Sequence, residues 1–280
     1  MAIERYIGID LAWSEGGPRS GPNETGVAVV DASGEVLDCG WTRGIDETVA
    51  WLGEAAAGGP ALAFVDAPLV VDNPSGQRPC EREVGRRYGR WKVSANSTNL
   101  ASPRLAGVVL RERLRAAGWV YDDGRGGPPS TGRVMSECYP YTTLVGAAEW
   151  GYAEQRPTYK RRPAGVPAAD WRAVRAAECD RLIGRLAGLA VADPPLRISS
   201  HPVSRRLADE PSPLASAAYK HREDLVDALV CAWTAALWVR HGRERCQVLG
   251  GDSPGAPGTA ATIIAPARPE QRRGPSGNDR

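Results

Sequence analysis

The chain has 280 residues, 42% of them hydrophobic, with 35 Lys plus Arg against 33 Asp plus Glu and a formal net charge of +2. So much apolar content with so little net charge excludes a disordered chain, and no window approaches the eighteen uninterrupted apolar residues of a membrane span. The six cysteines (Cys39, Cys80, Cys138, Cys179, Cys231, Cys246) form no CxxC pair, and MAIERYIGID does not resemble a secretory signal, so the expectation is a cytoplasmic protein without a zinc site or disulfide scaffold.

In chain order, RYIGIDLA at 5–12 reads as a strand, with Ile7, Ile9 and Leu11 on one face and Gly8 and Asp10 on the other. A Gly- and Pro-rich loop follows through Glu24. Strands at 25–31 and 35–41, joined by a turn at Ala32-Ser33-Gly34, complete an antiparallel meander. A short helix is expected over 46–57, stopped by Gly58-Gly59, and then ALAFVD at 61–66 is an apolar run typical of a buried parallel strand. Two helices around the polar loop KVSANSTNLASPR are expected within 78–115, and a loop over 121–132. RVMSEC at 133–138 is another strand, and helices follow at about 141–149, 168–190 and 222–241. Strand signals at 196–200 and 259–265 are weaker, and the tail after Pro266 has the composition of a disordered segment. An antiparallel meander followed by helix–strand units implies an α/β domain, a mixed sheet flanked by helices.

Charge is segregated along this order. Residues 1–77 carry 3 basic and 12 acidic side chains, residues 78–115 carry 10 and 3, and residues 156–185 carry 8 and 3. Solvated helices account for any one such stretch; together, basic segments around an acidic centre suit a phosphate backbone. Of the 35 basic residues only Lys92, Lys160 and Lys220 are lysines, a bias that base composition explains.

Five carboxylates stand out. Asp10 lies inside an apolar strand, where Asp is unfavourable, beside the space left by Gly8. Asp66 ends the next buried strand, although Asp before a Pro-containing turn is common. Glu137 ends a third. Asp224 and Asp227 share one face at the start of the last helix, where the helix dipole accounts for an acid at 224 better than for one at 227 in so apolar a helix. The carboxyl ends of neighbouring parallel strands lie along one sheet edge, where open α/β sheets place ligands. An all-oxygen set suits Mg²⁺ or Mn²⁺, and two such ions roughly 4 Å apart can bracket a phosphate.

The runs Gly8-Ile9-Asp10-Leu11-Ala12-Trp13, Asp66-Ala67-Pro68, Cys80-Glu81, Glu137-Cys138-Tyr139-Pro140, Tyr159-Lys160 and Asp224-Leu225-Val226-Asp227-Ala228-Leu229 resemble domain-of-unknown-function family 429, a family of predicted RNase H-like nucleases. The resemblance spans residue 5 to about 265. It implies one ribonuclease H-like domain over 1–265: a mixed five-stranded sheet, the first three strands antiparallel and two more parallel to the first; a basic helical insertion (about 75–132) after the fourth strand departs from the minimal fold. It further implies that Asp10 and Asp66 match the first- and fourth-strand acids of that superfamily, that Asp224 and Asp227 look like the closing pair of Holliday-junction resolvases, and that Glu137 matches this family's Glu-x-Tyr-Pro motif. The expected catalytic acids are therefore Asp10, Asp66, Glu137, Asp224 and Asp227, with Asp10, Asp66, Asp224 and Asp227 as metal ligands for, by expectation, two ions.

Around them, Arg86, Arg90 and Lys92 interleave with Tyr88 and Trp91, a pattern suited to single-stranded nucleic acid or, equally, to an amphipathic helix with aromatic core positions. Glu81 and Arg82 either reach the site or open a helix. Lys160 either neutralises a phosphate or is a solvated loop lysine. His221 is a candidate proton shuttle or a surface histidine. The leading expectation is a metal-dependent nuclease with a nucleic-acid partner and no membrane. The alternatives are a non-catalytic nucleic-acid-binding module and an actin- or sugar-kinase-like phosphotransferase, the last disfavoured by a long loop after Asp10 without a Gly/Thr phosphate hairpin.

Overall fold

The computed structural model describes residues 2–13, 21–253, 256 and 258–272. Most of the loop expected after the first strand, and the last eight residues of the tail, lie outside them.

The opening meander forms as the alternation predicts: β1 (Arg5–Asp10), β2 (Glu24–Asp31) and β3 (Val36–Arg43) pair antiparallel. α1 (Gly44–Ala55) returns the chain to β4 (Ala61–Val65), which runs parallel to β1 and is buried along its whole length. The insertion holds α2 (Pro79–Tyr88) and α3 (Ala106–Ala116), then β5 (Val120–Tyr121). β6 (Arg133–Glu137) lies parallel between β4 and β5. The result is one six-stranded mixed sheet in the order β3-β2-β1-β4-β6-β5, one strand more than the five expected. The extra strand is two residues long, too short for the sequence pattern to signal.

α4 (Pro140–Gly146), α5 (Trp171–Gly188), α6 (Pro202–Asp209) and α7 (Ser216–His241) follow. Residues 196–200 are not a strand: Arg197 makes one bridge to Glu35, and Ser200 Oγ then donates to the Arg197 carbonyl as the chain turns into a 3-10 helix. β8 (Ile263–Pro266) joins no edge of the main sheet but pairs with β7 (Cys246–Leu249) in a separate ribbon. α8 (Pro269–Arg272) lies within the expected tail and is tied down, with Arg268 Nε donating to the Val145 carbonyl at 2.7 Å. No helix among the described residues is long and apolar enough to cross a membrane.

α7 positions everything that follows. It begins six residues before the expected start, so Asp224 and Asp227 sit well inside it, beyond the reach of capping or the helix dipole. From Arg222 to Trp238 every residue is buried. The helix packs on β1, β2 and β4, and it does so against bare backbone. A Cβ on Gly8 would lie 1.9 Å from the Ala228 carbonyl oxygen, and one on Gly26 would lie 2.1 Å from that of Asp224. The space beside Asp10 is thus filled by the helix rather than left open.

Gly8→Ala should therefore destabilise the protein by about 3 kcal/mol, the upper range for overpacking a rigid contact. Urea unfolding checks this, and an unchanged midpoint would show that the helix does not lie on this strand.

Candidate functional site

Parallel pairing of β1 and β4 sets two acids side by side. Asp10 is the last residue of β1, and Asp66 follows β4, its amide donating to the Ile9 carbonyl at 2.8 Å. α7 brings Asp227 over them. One carboxylate oxygen each from Asp10, Asp66 and Asp227 lies within 4.8 Å of the others. Asp224 joins from the preceding turn of α7, and Lys220 lies against both it and Asp10. Asp10, Asp224 and Asp227 are buried, and Asp66 is partly open.

Two lysines are in contact with this cluster. Lys160 pairs with Asp227 Oδ2, and its side chain is only 19% exposed, so it is no solvated loop lysine. Lys220 lies in the second turn of α7 and pairs with Asp224; its Nζ is 3.2 Å from Glu223 and 3.9 Å from Asp10 Oδ2. The Tyr159 hydroxyl donates to Asp227 Oδ1 at 2.6 Å. The run Tyr159-Lys160 is one of those that carry the family resemblance, but sequence reasoning assigns Tyr159 no role of its own.

Burial pushes the carboxyl groups of Asp66, Asp224 and Asp227 above the ordinary carboxylate range. Repulsion from Asp10 adds to this; Lys160 opposes it at Asp66 and Asp227, and Lys220 at Asp224. The surrounding carboxylates hold both lysines charged against the effect of burial.

The donor set fits a hard divalent cation. All donors are carboxylate oxygens, and Asp10 Oδ2 is buried without a hydrogen-bond partner.

Glu137 does not enter the cluster. It pairs with Val65, one residue short of the row formed by Asp10 and Asp66, and so projects from the opposite face of the sheet. There Arg78 clamps it through both terminal nitrogens, at 2.6 and 2.8 Å, while Arg78 Nε donates to Glu81 at 2.9 Å. Glu81 Oε2 accepts from the Arg78 and Thr98 amides and Glu137 Oε2 from the Leu69 amide, which ties the loop after β4 to the start of α2. All three side chains are buried. The expected substrate contact at Glu81 is therefore an internal one. Arg78, unnoticed in the sequence, could have been found from Arg78-Pro79 three residues before Glu81, the spacing of a helix cap.

The other basic candidates lie outside the cluster. Arg82 donates to the Gln77 carbonyl, Arg86 pairs with Glu83 at 3.1 Å and Arg90 with Glu270 at 2.8 Å; all are exposed, as is Lys92. Tyr88 and Trp91 are fully buried. The aromatics of this stretch are core residues, so the stacking platform anticipated there does not exist. His221, at half-exposure, stacks on Trp41 with ring centroids 3.4 Å apart and contacts Glu24 at 2.7 Å.

A family model described as "Protein of unknown function (DUF429)" matches residues 8–254, and the chain belongs to that family. Nothing among the curated proteins or the solved structures matches it.

Two expectations follow from this geometry. Arg78→Met leaves two buried carboxylates without their cation and should cost about 3–5 kcal/mol in denaturant unfolding; a loss under about 1 kcal/mol would mean that the network is dispensable. In metal-free protein, the raised carboxyl group of Asp66 keeps a proton that the unfolded chain has released, so stability falls as pH rises from the unfolded value, about 4, through the raised one. Asp66→Asn should thus gain on the wild type as pH climbs from about 4 to 8, and melting curves with a pH-independent difference would refute the assignment.

Proposed function

We propose that the chain is an RNase H-like, divalent-metal-dependent phosphodiester hydrolase acting on nucleic acid. The observation that carries this reading is the meeting of Asp10, Asp66 and Asp227 within 4.8 Å, with a buried oxygen of Asp10 unpartnered. The sheet order supports it: three antiparallel strands, then β4 and β6 parallel to β1, is the arrangement the resemblance implies.

Asp10, Asp66 and Asp227 would hold Mg²⁺ or Mn²⁺, with Asp224 completing the set from the preceding turn of α7. A bound ion of this kind supplies Lewis acidity and a bound water of lowered pKa. The chain's own residues do the rest. The strand ends and α7 hold the carboxylates rigidly, which fixes where a phosphate can approach. Burial keeps the local dielectric low and strengthens each charge there. Exposed Arg161 offers a flanking phosphate a counter-charge; it reaches Asn96, which lines the same notch as Asp66.

A binding module in which Lys160 and Lys220 neutralise the acids permanently is the competing reading, and those two ion pairs favour it. Calorimetry with Mn²⁺ separates the two, because the module binds no ion. For the hydrolase, purified protein with Mn²⁺ should cleave at least one of single-stranded DNA, RNA, hybrid or branched substrates. Asp10→Asn should lower cleavage by more than about 100-fold, beyond the loss typical of a residue that only orients a ligand, with the unfolding midpoint preserved. Cleavage that survives this substitution, or a wild type that binds Mn²⁺ and cleaves nothing, defeats the proposal.

A further inference from the structure

Lys160 is held in the cluster by more than its own charge. Tyr159, the residue before it, is fully buried, and its carbonyl accepts from the Tyr219 hydroxyl of α7 at 2.6 Å while its own hydroxyl holds Asp227 Oδ1. The loop bearing Lys160 is thus pinned to α7 at Asp227 and, closer to the start of the helix, at Tyr219. The ammonium group also lies 5.6 and 5.8 Å from the ring centres of Tyr159 and Tyr141, within the range in which an aromatic ring attracts a cation. Lys220, by contrast, is 59% exposed.

This arrangement limits the positions open to a divalent ion. Asp227 has one oxygen taken by the Tyr159 hydroxyl and the other by Lys160. Oδ2 of Asp227 and Oδ2 of Asp10 are both buried without a hydrogen-bond donor, but the first is ion-paired to Lys160, whereas Lys220 stands 3.9 Å from the second. A single ion against Asp10 and Asp66, sharing the Lys160-bearing oxygen of Asp227, uses what is available. A second ion would have to displace a largely buried, ion-paired lysine and leave its charge in a site of low dielectric.

We propose that Lys160 fills the second cation position of the centre, so that the site takes one divalent ion and Lys160 presents the other positive charge to a phosphodiester. This rests on the hydrolase reading and names the charges with which that site receives its substrate. A lysine suits the place because its ammonium is a compact charge with three donors: Asp227 takes one, and the others remain for phosphate oxygens.

The experiment counts bound Mn²⁺ by calorimetry and by electron paramagnetic resonance on the full chain: wild type, Lys160→Arg and Lys160→Met. We expect one ion per chain in the wild type and in Lys160→Arg, and two in Lys160→Met, whose vacated Asp227 oxygen becomes a ligand. At Mn²⁺ concentrations that load one ion, Lys160→Met should cleave at least about 100-fold more slowly, the loss seen when one preorganised donor to a reacting centre is removed. Two ions in the wild type overturn the inference and leave the hydrolase reading intact. One ion in a folded Lys160→Met, confirmed by its melting curve, also overturns it. No ion in the wild type removes the metal reading and this inference together. Should Lys160→Met fail to fold, the wild-type count decides alone.

Discussion

A helix lies on the bare backbone of two strands, and the rest of the molecule is arranged around that contact. Gly8 and Gly26 let α7 approach β1 and β2 so closely that no side chain fits between them. The helix can be this close only because it is apolar nearly all round and buried from Arg222 to Trp238. Its carboxylates at 224 and 227 are then delivered onto the ends of β1 and β4 by the core itself, not by a loop. A site built this way inherits the rigidity of the core, as a reacting centre that depends on sub-ångström placement requires.

Strand parity sorts the acids into two groups. Asp10 and Asp66 continue one row across parallel strands, and the next position in that row, directly after β6, is Cys138. Glu137 precedes it by one residue and therefore faces away, into the grip of Arg78. The same short motif thus contributes a thiol to the α7 face and a carboxylate to the opposite one. The carboxylate holds the insertion in place: through Arg78 and Glu81 it links β6, the loop after β4, the first turn of α2 and the Thr98 loop. Its burial with a bidentate partner is costly to break from one side, which suits an anchor.

These two constraints mark how far the sequence could be followed. The meander, β4, β6 and the helices of the insertion were legible because each carries a clear period and clear stops. β7 and the two-residue β5 were not, since four or fewer residues per strand leave no period to detect; β8 was signalled within 259–265, but not its pairing with β7, and α6 was not anticipated. Asp10, Asp66 and Asp227 could be singled out because each is an acid in an apolar setting. The direction of Glu137 could not, because register is a property of paired strands and one residue of slip reverses a face. Tyr88 and Trp91 misled for a related reason: basic residues between aromatics describe equally a stacking platform and the boundary of a buried helix face, and only packing separates the two.

The lysines bear on what the acid cluster is for. The chain uses Arg at nearly every basic position, so the few places that hold Lys are informative even if base composition sets the background. Two of the three lysines sit on the cluster. An Arg there would engage a carboxylate with a planar fork and five donors, as Arg78 does at Glu137. A lysine neutralises the same charge from a point and leaves other oxygens of the cluster available. In one molecule, then, the buried carboxylate that only has to stay put is given arginine, and the carboxylates with an unpartnered oxygen among them are given lysine. That division is what a site needs if its acids must be stable when empty and still able to take a metal ion.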